Sequence, residues 1–123
     1  MKPKHIAIIM DGNRRWAKSN NCSLLEAYEK GVETLNKTIE NCIKLKINYV
    51  TVFGFSTENW NRSKKEISYL MKLFDKFLDK AILEAGSKEI KIKFIGDLNI
   101  FSKQIKNKTS FLSNVTNKKK KLH

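Results

Sequence analysis

Short apolar runs alternate with long amphipathic segments along this chain of 123 residues, and the alternation limits the folds open to it. His5–Met10 form a continuous, mainly β-branched apolar run, which is typical of a strand buried on both faces. Comparable runs follow at Asn48–Phe55 and Ile90–Ile95. Because the intervening segments are long enough for crossover connections, this order predicts an α/β fold with a parallel sheet.

The segments between and after these runs carry apolar residues at steps of three and four, the spacing of an amphipathic helix. The patterns predict helices at residues 14–18, 24–46, 63–85 and 99–114. Ser63 and Glu66 form a capping-box pattern at the start of the third helix, and Gly86 follows its end. The apolar face of that helix consists of Ile67, Leu70, Met71, Phe74, Phe77, Leu78, Ala81 and Ile82. The chain therefore has the pattern of a βαβαβα fragment.

Positive charge is concentrated near the end of the chain. The formal net charge is +13, and residues 102–123 hold seven lysines and no acidic residue. Such a run is typical of a solvated tail, although lysines also neutralise phosphates in nucleic-acid complexes. No aromatic residues lie among the lysines of 117–123, so the sequence favours a basic tail over a nucleic-acid surface.

Several classes of protein are excluded by what the sequence lacks. No apolar run approaches the roughly 20 residues of a transmembrane helix, and the first run is too short for a signal-peptide core. Cys22 and Cys42 lie far apart, without the spacing of a zinc site or a disulfide scaffold. We therefore expect a cytoplasmic protein with reduced cysteines and no transmembrane segment.

Polar segments follow the predicted strands, and ligands of parallel sheets bind at that edge. The first segment contains Asp11 and Gly12, followed by Arg14 and Arg15 at the start of a helix. Backbone N–H groups and guanidinium groups together favour a diphosphate, and one carboxylate is enough to hold Mg²⁺ against it. An ordinary turn is the alternative, because Asp-Gly is common at the end of a strand.

Three motifs carry a resemblance to a known family. They are Met-Asp-Gly-Asn-Arg-Arg-Trp-Ala at 10–17, Phe-Ser-Thr-Glu-Asn-Trp-Asn-Arg at 55–62, and Ile-Gly-Asp at 95–97. In this order and separation, they resemble the cis-prenyltransferases, the undecaprenyl diphosphate synthase family. The resemblance implies that residues 1–116 are the N-terminal half of a cis-prenyltransferase-like domain, an α/β parallel-sheet fragment of that fold, and that residues 117–123 are a basic tail.

The resemblance also implies a reaction and a set of residues. An isoprenyl transferase of this family condenses isopentenyl diphosphate with an allylic diphosphate, using Mg²⁺, to make a polyprenyl diphosphate. Asp11 would bind Mg²⁺ and assist departure of the diphosphate, and Asn59 would assist removal of the proton from the isopentenyl unit. The substrate-binding residues would be Gly12, Asn13, Arg14, Arg15, Trp16, Ser56, Thr57, Glu58, Trp60 and Arg62.

The apolar face of the third helix has two interpretations. The resemblance implies that part of it lines the tunnel for the growing prenyl chain, with Leu70, Met71, Phe74, Phe77 and Leu78 as the wall. A stripe of this kind is also typical of an ordinary hydrophobic core.

The chain departs from the family pattern at several positions. Leu24 and Ala27-Tyr28 stand where the family usually has an arginine and a Gly-His pair that grip the diphosphate. Each lost hydrogen bond to a charged group would cost about 1.5–3 kcal/mol. Arg14 occupies a position that is often glycine, and Ser63 replaces a proline.

The family's second half, which carries the isopentenyl diphosphate site and most of the dimer interface, has no counterpart here. We therefore expect weak or no activity from the isolated chain and a truncated or split gene. Homodimerisation and pairing with a separately encoded C-terminal half both remain open. The alternative is a non-catalytic remnant or interaction module derived from the synthase.

Overall fold

The computed structural model describes residues 2–54, 61–119 and 122–123. The elements in the described part are β1 His5–Ile9, α1 Asn13–Ser19, α2 Leu24–Lys44, β2 Tyr49–Phe53, α3 Lys64–Glu84 and α4 Lys103–Val115. Both cysteines have free thiols, and Cys42 is buried.

The strands β1 and β2 pair in parallel, with α1 and α2 forming the crossover between them. The register runs from His5 opposite Tyr49 to Ile9 opposite Phe53. A parallel pair needs a connection of a dozen or more residues, and the two helices supply it. The prediction of an α/β fold with a parallel sheet is confirmed.

The prediction of a third strand over Ile90–Ile95 is wrong. Among the described residues, this segment forms one isolated parallel bridge, between Ile90 and Leu122. The Lys91 N–H donates to the carbonyl of Leu122 at 2.7 Å, and the Val50 N–H donates to that of His123 at 2.7 Å. Among the described residues, the backbone partner of the segment at 90–95 is therefore Leu122, in the two-residue stretch 122–123. A strand does not extend beyond the residues whose backbone groups are paired.

The residues at 122–123 also change the interpretation of the basic tail. Leu122 is 2% exposed and packs with Cys42 and Ile47 in one hydrophobic core cluster. His123 stacks on Tyr49, with ring centroids 5.0 Å apart. The expectation of a solvated tail is thus wrong for Leu122 and His123.

Three of the helices begin at a serine that caps the first turn. The side chains of Ser23, Ser63 and Ser102 accept the backbone N–H groups of Glu26, Glu66 and Ile105 at 3.1–3.2 Å. Helix α4 begins at residue 103 rather than 99 because Asn99 belongs to a turn, where its N–H donates to Asp97. No helix in the described part of the chain is both long and apolar enough to span a membrane.

The small sheet is covered on one face. Ile6 and Val50 pack against the cluster of Cys42, Ile47 and Leu122. The opposite face is open: Ile9 is 73% exposed, and Phe53 and Tyr49 are also exposed. The expectation that both faces are buried is therefore wrong, since these three large side chains on the second face are exposed.

A second core joins α3 to α4. Leu78, Ile105 and Leu112 are buried at its centre. Met71, Phe74 and Phe77 pack around them, and the rings of Phe74 and Phe101 lie 5.5 Å apart. This packing supports the core interpretation for most of the apolar face of α3.

Leu78→Ala should lower the free energy of unfolding by about 2–5 kcal/mol, because a side chain with 0% exposure leaves a cavity when it is truncated. Leu83→Ala is the matched control on the same helix. Leu83 is 85% exposed, so its truncation should change stability by about 0.5 kcal/mol or less. Urea unfolding measures the free energy of unfolding of both variants. Equal decreases in the two variants would contradict the assignment of this core.

Candidate functional site

The described residues that follow β1 and β2, at the start of the two predicted polar segments, leave the sheet at the same edge. Ile9 and Phe53 are paired at the end of the parallel ladder, and the Met10 N–H donates to the Phe53 carbonyl at 3.4 Å. Met10 and Gly54 therefore follow the two strands at the carboxyl edge, and Asp11 comes directly after Met10. Ligands of open parallel sheets bind at this edge, at the ends of the strands.

Asp11 and Gly12 form a tight turn between β1 and α1. The Asp11 Oδ1 atom accepts the Gly12 N–H at 2.7 Å. Gly12 has φ of +82°, a conformation that favours glycine because it has no Cβ. Gly12 is also the N-cap of α1 and, as a glycine, has no side chain that could accept the N–H groups of the first turn. The turn leaves the Asp11 carboxylate exposed to solvent.

Helix α1 packs on α2 through small residues. Ala17 is buried, and a Cβ on Gly31 would lie only 3.3 Å from the Asn13 side-chain oxygen. Gly31 therefore allows α1 to approach α2 closely. Arg15 and Trp16 remain exposed on its outer side.

The Glu66 carboxylate accepts hydrogen bonds from side chains of three separate segments. Its Oε2 atom accepts a hydrogen bond from Arg14 at 2.9 Å, and its Oε1 atom accepts one from Arg62 at 2.8 Å. The Tyr28 hydroxyl also donates to Oε1, at 2.7 Å, and it accepts a hydrogen bond from Arg62. We call these four residues the Glu66 cluster.

The side chains of the cluster differ in their exposure to solvent. The Glu66 side chain is 8% exposed, while those of Arg14 and Arg62 are 62% and 35% exposed. Tyr28 is buried. The carboxylate therefore lies beneath two guanidinium groups that face solvent.

Burial and hydrogen bonding set the protonation states. Burial of Glu66 acts to raise its pKa, but the hydrogen bonds from Tyr28 and Arg62, with the charges of both arginines, outweigh it and lower the pKa. Burial, reinforced by the hydrogen bond to Glu66, raises the pKa of Tyr28 to about 12. At neutral pH, an ionised carboxylate therefore accepts from a protonated phenol and two guanidinium groups.

The structure describes part of the predicted site. Asp11, Gly12, Asn13, Arg14, Arg15 and Trp16 follow β1, and Arg62 meets Arg14 on Glu66. The predicted residues Ser56, Thr57, Glu58, Asn59 and Trp60 lie outside the described residues. Tyr28 and Glu66 are absent from the predicted site. The sequence identified Glu66 only as a capping residue, and its contacts with Tyr28 and Arg14 span 38 and 52 positions.

At the end of β1, the described residues provide a single carboxylate, that of Asp11, rather than a complete set of metal ligands. No group of three or more His, Cys, Asp or Glu side chains in this part of the chain could hold a metal ion. Mg²⁺ usually takes one or two carboxylates and completes its shell with substrate phosphates and water. The exposed Asp11 carboxylate at the end of β1 fits that requirement.

Comparison with known proteins assigns the chain to a family. Residues 9–123 match the family model of undecaprenyl diphosphate synthase. An isoprenyl transferase of Neisseria meningitidis is 42% identical over 103 residues, which are 84% of this chain and 42% of the relative. Dehydrodolichyl diphosphate synthase 4 of Arabidopsis thaliana is 42% identical over 123 residues, which are all of this chain and 43% of the relative.

A solved structure shows the same architecture. Lavandulyl diphosphate synthase from Lavandula x intermedia, in complex with dimethylallyl diphosphate, matches with a TM-score of 0.91 and 31% identity. The match covers 98% of this chain and 52% of that structure. The chain therefore spans about half the length, or less, of the relatives that it matches.

Glu66→Gln should lower the free energy of unfolding at pH 7 by about 1–3 kcal/mol, because a neutral amide replaces a buried acceptor of three hydrogen bonds. A lowered pKa means that Glu66 contributes stability above its ordinary value of 4.5, and that this contribution is lost as the pH falls through the native pKa. The difference between wild type and variant should therefore shrink in acid.

Urea unfolding at pH 7 and at a series of lower pH values measures this difference. Glu33→Gln is the control, since it removes an exposed carboxylate paired with Lys30 and Lys37 on α2. A loss of stability in Glu66→Gln that stays constant down to the lowest pH would contradict the assigned ionisation.

Proposed function

Because the chain belongs to the undecaprenyl diphosphate synthase family, we propose that it binds an allylic diphosphate in an isoprenyl transferase reaction. The proposed reaction condenses isopentenyl diphosphate with the allylic diphosphate to make a polyprenyl diphosphate. One observation supports the proposal most directly. In a chain that matches this family, residues 11–15 follow β1 at the edge of the sheet where β2 also ends.

The residues after β1 suit a diphosphate group. Gly12 permits close approach of the backbone and, as the N-cap of α1, has no side chain to cap the N–H groups of the first turn. Arg15 and Arg14 add exposed guanidinium groups. Guanidinium groups bind phosphate oxygens through paired, charge-assisted hydrogen bonds. These residues would hold the diphosphate while its bond to the allylic carbon breaks.

The proposed site includes Mg²⁺. Asp11 would hold the ion, whose charge stabilises the departing diphosphate when it is bound. The Gly12 N–H, donated to Asp11 Oδ1, fixes the direction of the carboxylate. Asn59, which would assist proton removal, stays a proposal from the sequence motif, as do Ser56, Thr57, Glu58 and Trp60.

Residues 1–116 would form the N-terminal half of the catalytic domain and would act in the cytoplasm, where Cys22 and Cys42 remain reduced. Since the chain spans 42% and 43% of two curated relatives, we propose that turnover requires groups beyond those present here. Incorporation of radiolabelled isopentenyl diphosphate by the 123-residue chain alone would contradict this part of the proposal.

Binding of dimethylallyl diphosphate tests the site without requiring turnover. In the presence of Mg²⁺, Asp11→Asn should bind this probe about tenfold more weakly or worse, because a neutral amide is a poor ligand for Mg²⁺. With the metal chelated, wild type and variant should bind equally weakly. Isothermal titration calorimetry measures all four affinities.

Asp79→Asn is the matched control. It removes an exposed carboxylate that pairs with Lys108, on the side of α3 that faces α4. Its affinity for the probe should equal that of wild type. Magnesium-dependent binding that survives Asp11→Asn would contradict the proposed role of Asp11.

An interaction module is the second candidate, and the open face of the sheet favours it. Ile9, Phe53 and Tyr49 expose apolar side chains on that face. Exposed apolar patches mark association surfaces, so a second copy or a separately encoded C-terminal half would be the partner. A chain that associates but binds no dimethylallyl diphosphate would favour this candidate over the first.

A further inference from the structure

The Glu66 cluster combines residues that the sequence places in different motifs. Arg14 belongs to the segment after β1, and Arg62 lies directly before α3. Each arginine donates to a different oxygen of the same carboxylate. The buried Glu66 side chain thus links the two arginines across the site.

The charge of the cluster favours an anion. One carboxylate faces two guanidinium groups, so the cluster keeps a net positive charge when Tyr28 is protonated. A guanidinium group has five N–H donors, and Glu66 engages a single nitrogen of each arginine. The remaining donors belong to side chains that are 62% and 35% exposed.

The cluster also restricts the two long side chains. A free arginine loses rotamer entropy when it grips a ligand, and an arginine already held by a buried partner loses less. Tyr28 adds a second constraint, since its hydroxyl donates to Glu66 and accepts from Arg62. The buried pair of Tyr28 and Glu66 therefore preorganises the exposed pair of Arg14 and Arg62.

We propose that Glu66 is a positioning residue that holds Arg14 and Arg62 together as one binding unit for a diphosphate group. Tyr28 is the second positioning residue, and it fixes the direction of the Glu66 carboxylate. Neither residue touches the diphosphate; both act through the arginines. This inference rests on the proposed function, because it names further residues of the same diphosphate site.

The probe for this inference is inorganic pyrophosphate with Mg²⁺, titrated calorimetrically into the full chain at one fixed ionic strength. Arg14→Ala should weaken binding about tenfold, the effect of losing a hydrogen bond between charged groups. In the Glu66→Gln background, the same substitution should weaken binding only about twofold, because residues that act as a unit are not additive. A merely structural role for Glu66 would leave the two effects equal.

Tyr28→Phe provides a second variant that keeps the buried ring. It should weaken pyrophosphate binding about threefold, since the carboxylate loses one of its fixed donors. Glu84→Gln is the control on α3, the helix that carries Glu66, because Glu84 pairs with Lys88 away from the cluster. Circular dichroism establishes that each variant is folded before its affinity is compared.

The outcomes separate this inference from the proposed function. If wild type binds pyrophosphate but Glu66→Gln, Tyr28→Phe and Glu84→Gln all bind like wild type, the positioning role is overturned and the diphosphate site stands. Additive effects of Arg14→Ala and Glu66→Gln also overturn it. If wild type does not bind pyrophosphate, the proposed function fails and this inference fails with it.

Discussion

Parallel pairing of β1 with β2 places Met10 and Gly54, the residues that follow the two strands, at one edge of the sheet. In an antiparallel pair the two following segments would leave at opposite edges, whereas the parallel register from His5–Tyr49 to Ile9–Phe53 sends both to one edge. The helical crossover of α1 and α2 makes that pairing possible. The same crossover covers one face of the sheet and places Tyr28 beneath the site. The site is therefore a consequence of the connection between the strands as much as of the residues in the motifs.

Glu66 adds a second level of organisation. Its backbone N–H serves the cap of α3 at Ser63, while its carboxylate turns inward to Arg14, Arg62 and Tyr28. Burial of an unpaired carboxylate costs free energy because the charge loses its hydration, and here three donors bind the Glu66 carboxylate in place of water. The start of α3 and the segment after β1 are consequently fixed relative to each other by one side chain.

The sequence predicted those features that depend on local pattern. The β-branched runs identify β1 and β2, and the serine at position 63 identifies the start of α3. Features that depend on distant partners were not predictable in the same way. Ile90–Ile95 has the composition of a strand, but its described partner is only Leu122–His123. The Glu66 cluster likewise joins residues up to 52 positions apart, and no local pattern reveals such contacts.

A magnesium pyrophosphate titration followed by NMR tests the central claim most directly, because it reports each backbone amide separately. The account predicts that amides of Gly12–Arg15 and those around Arg62 shift together and saturate at one concentration, as expected for one site formed by both segments. Shifts confined to the lysines of 118–121, with the edge of the sheet unchanged, would show that pyrophosphate binds only to the basic tail. That result would contradict a diphosphate site at the carboxyl edge of the parallel pair.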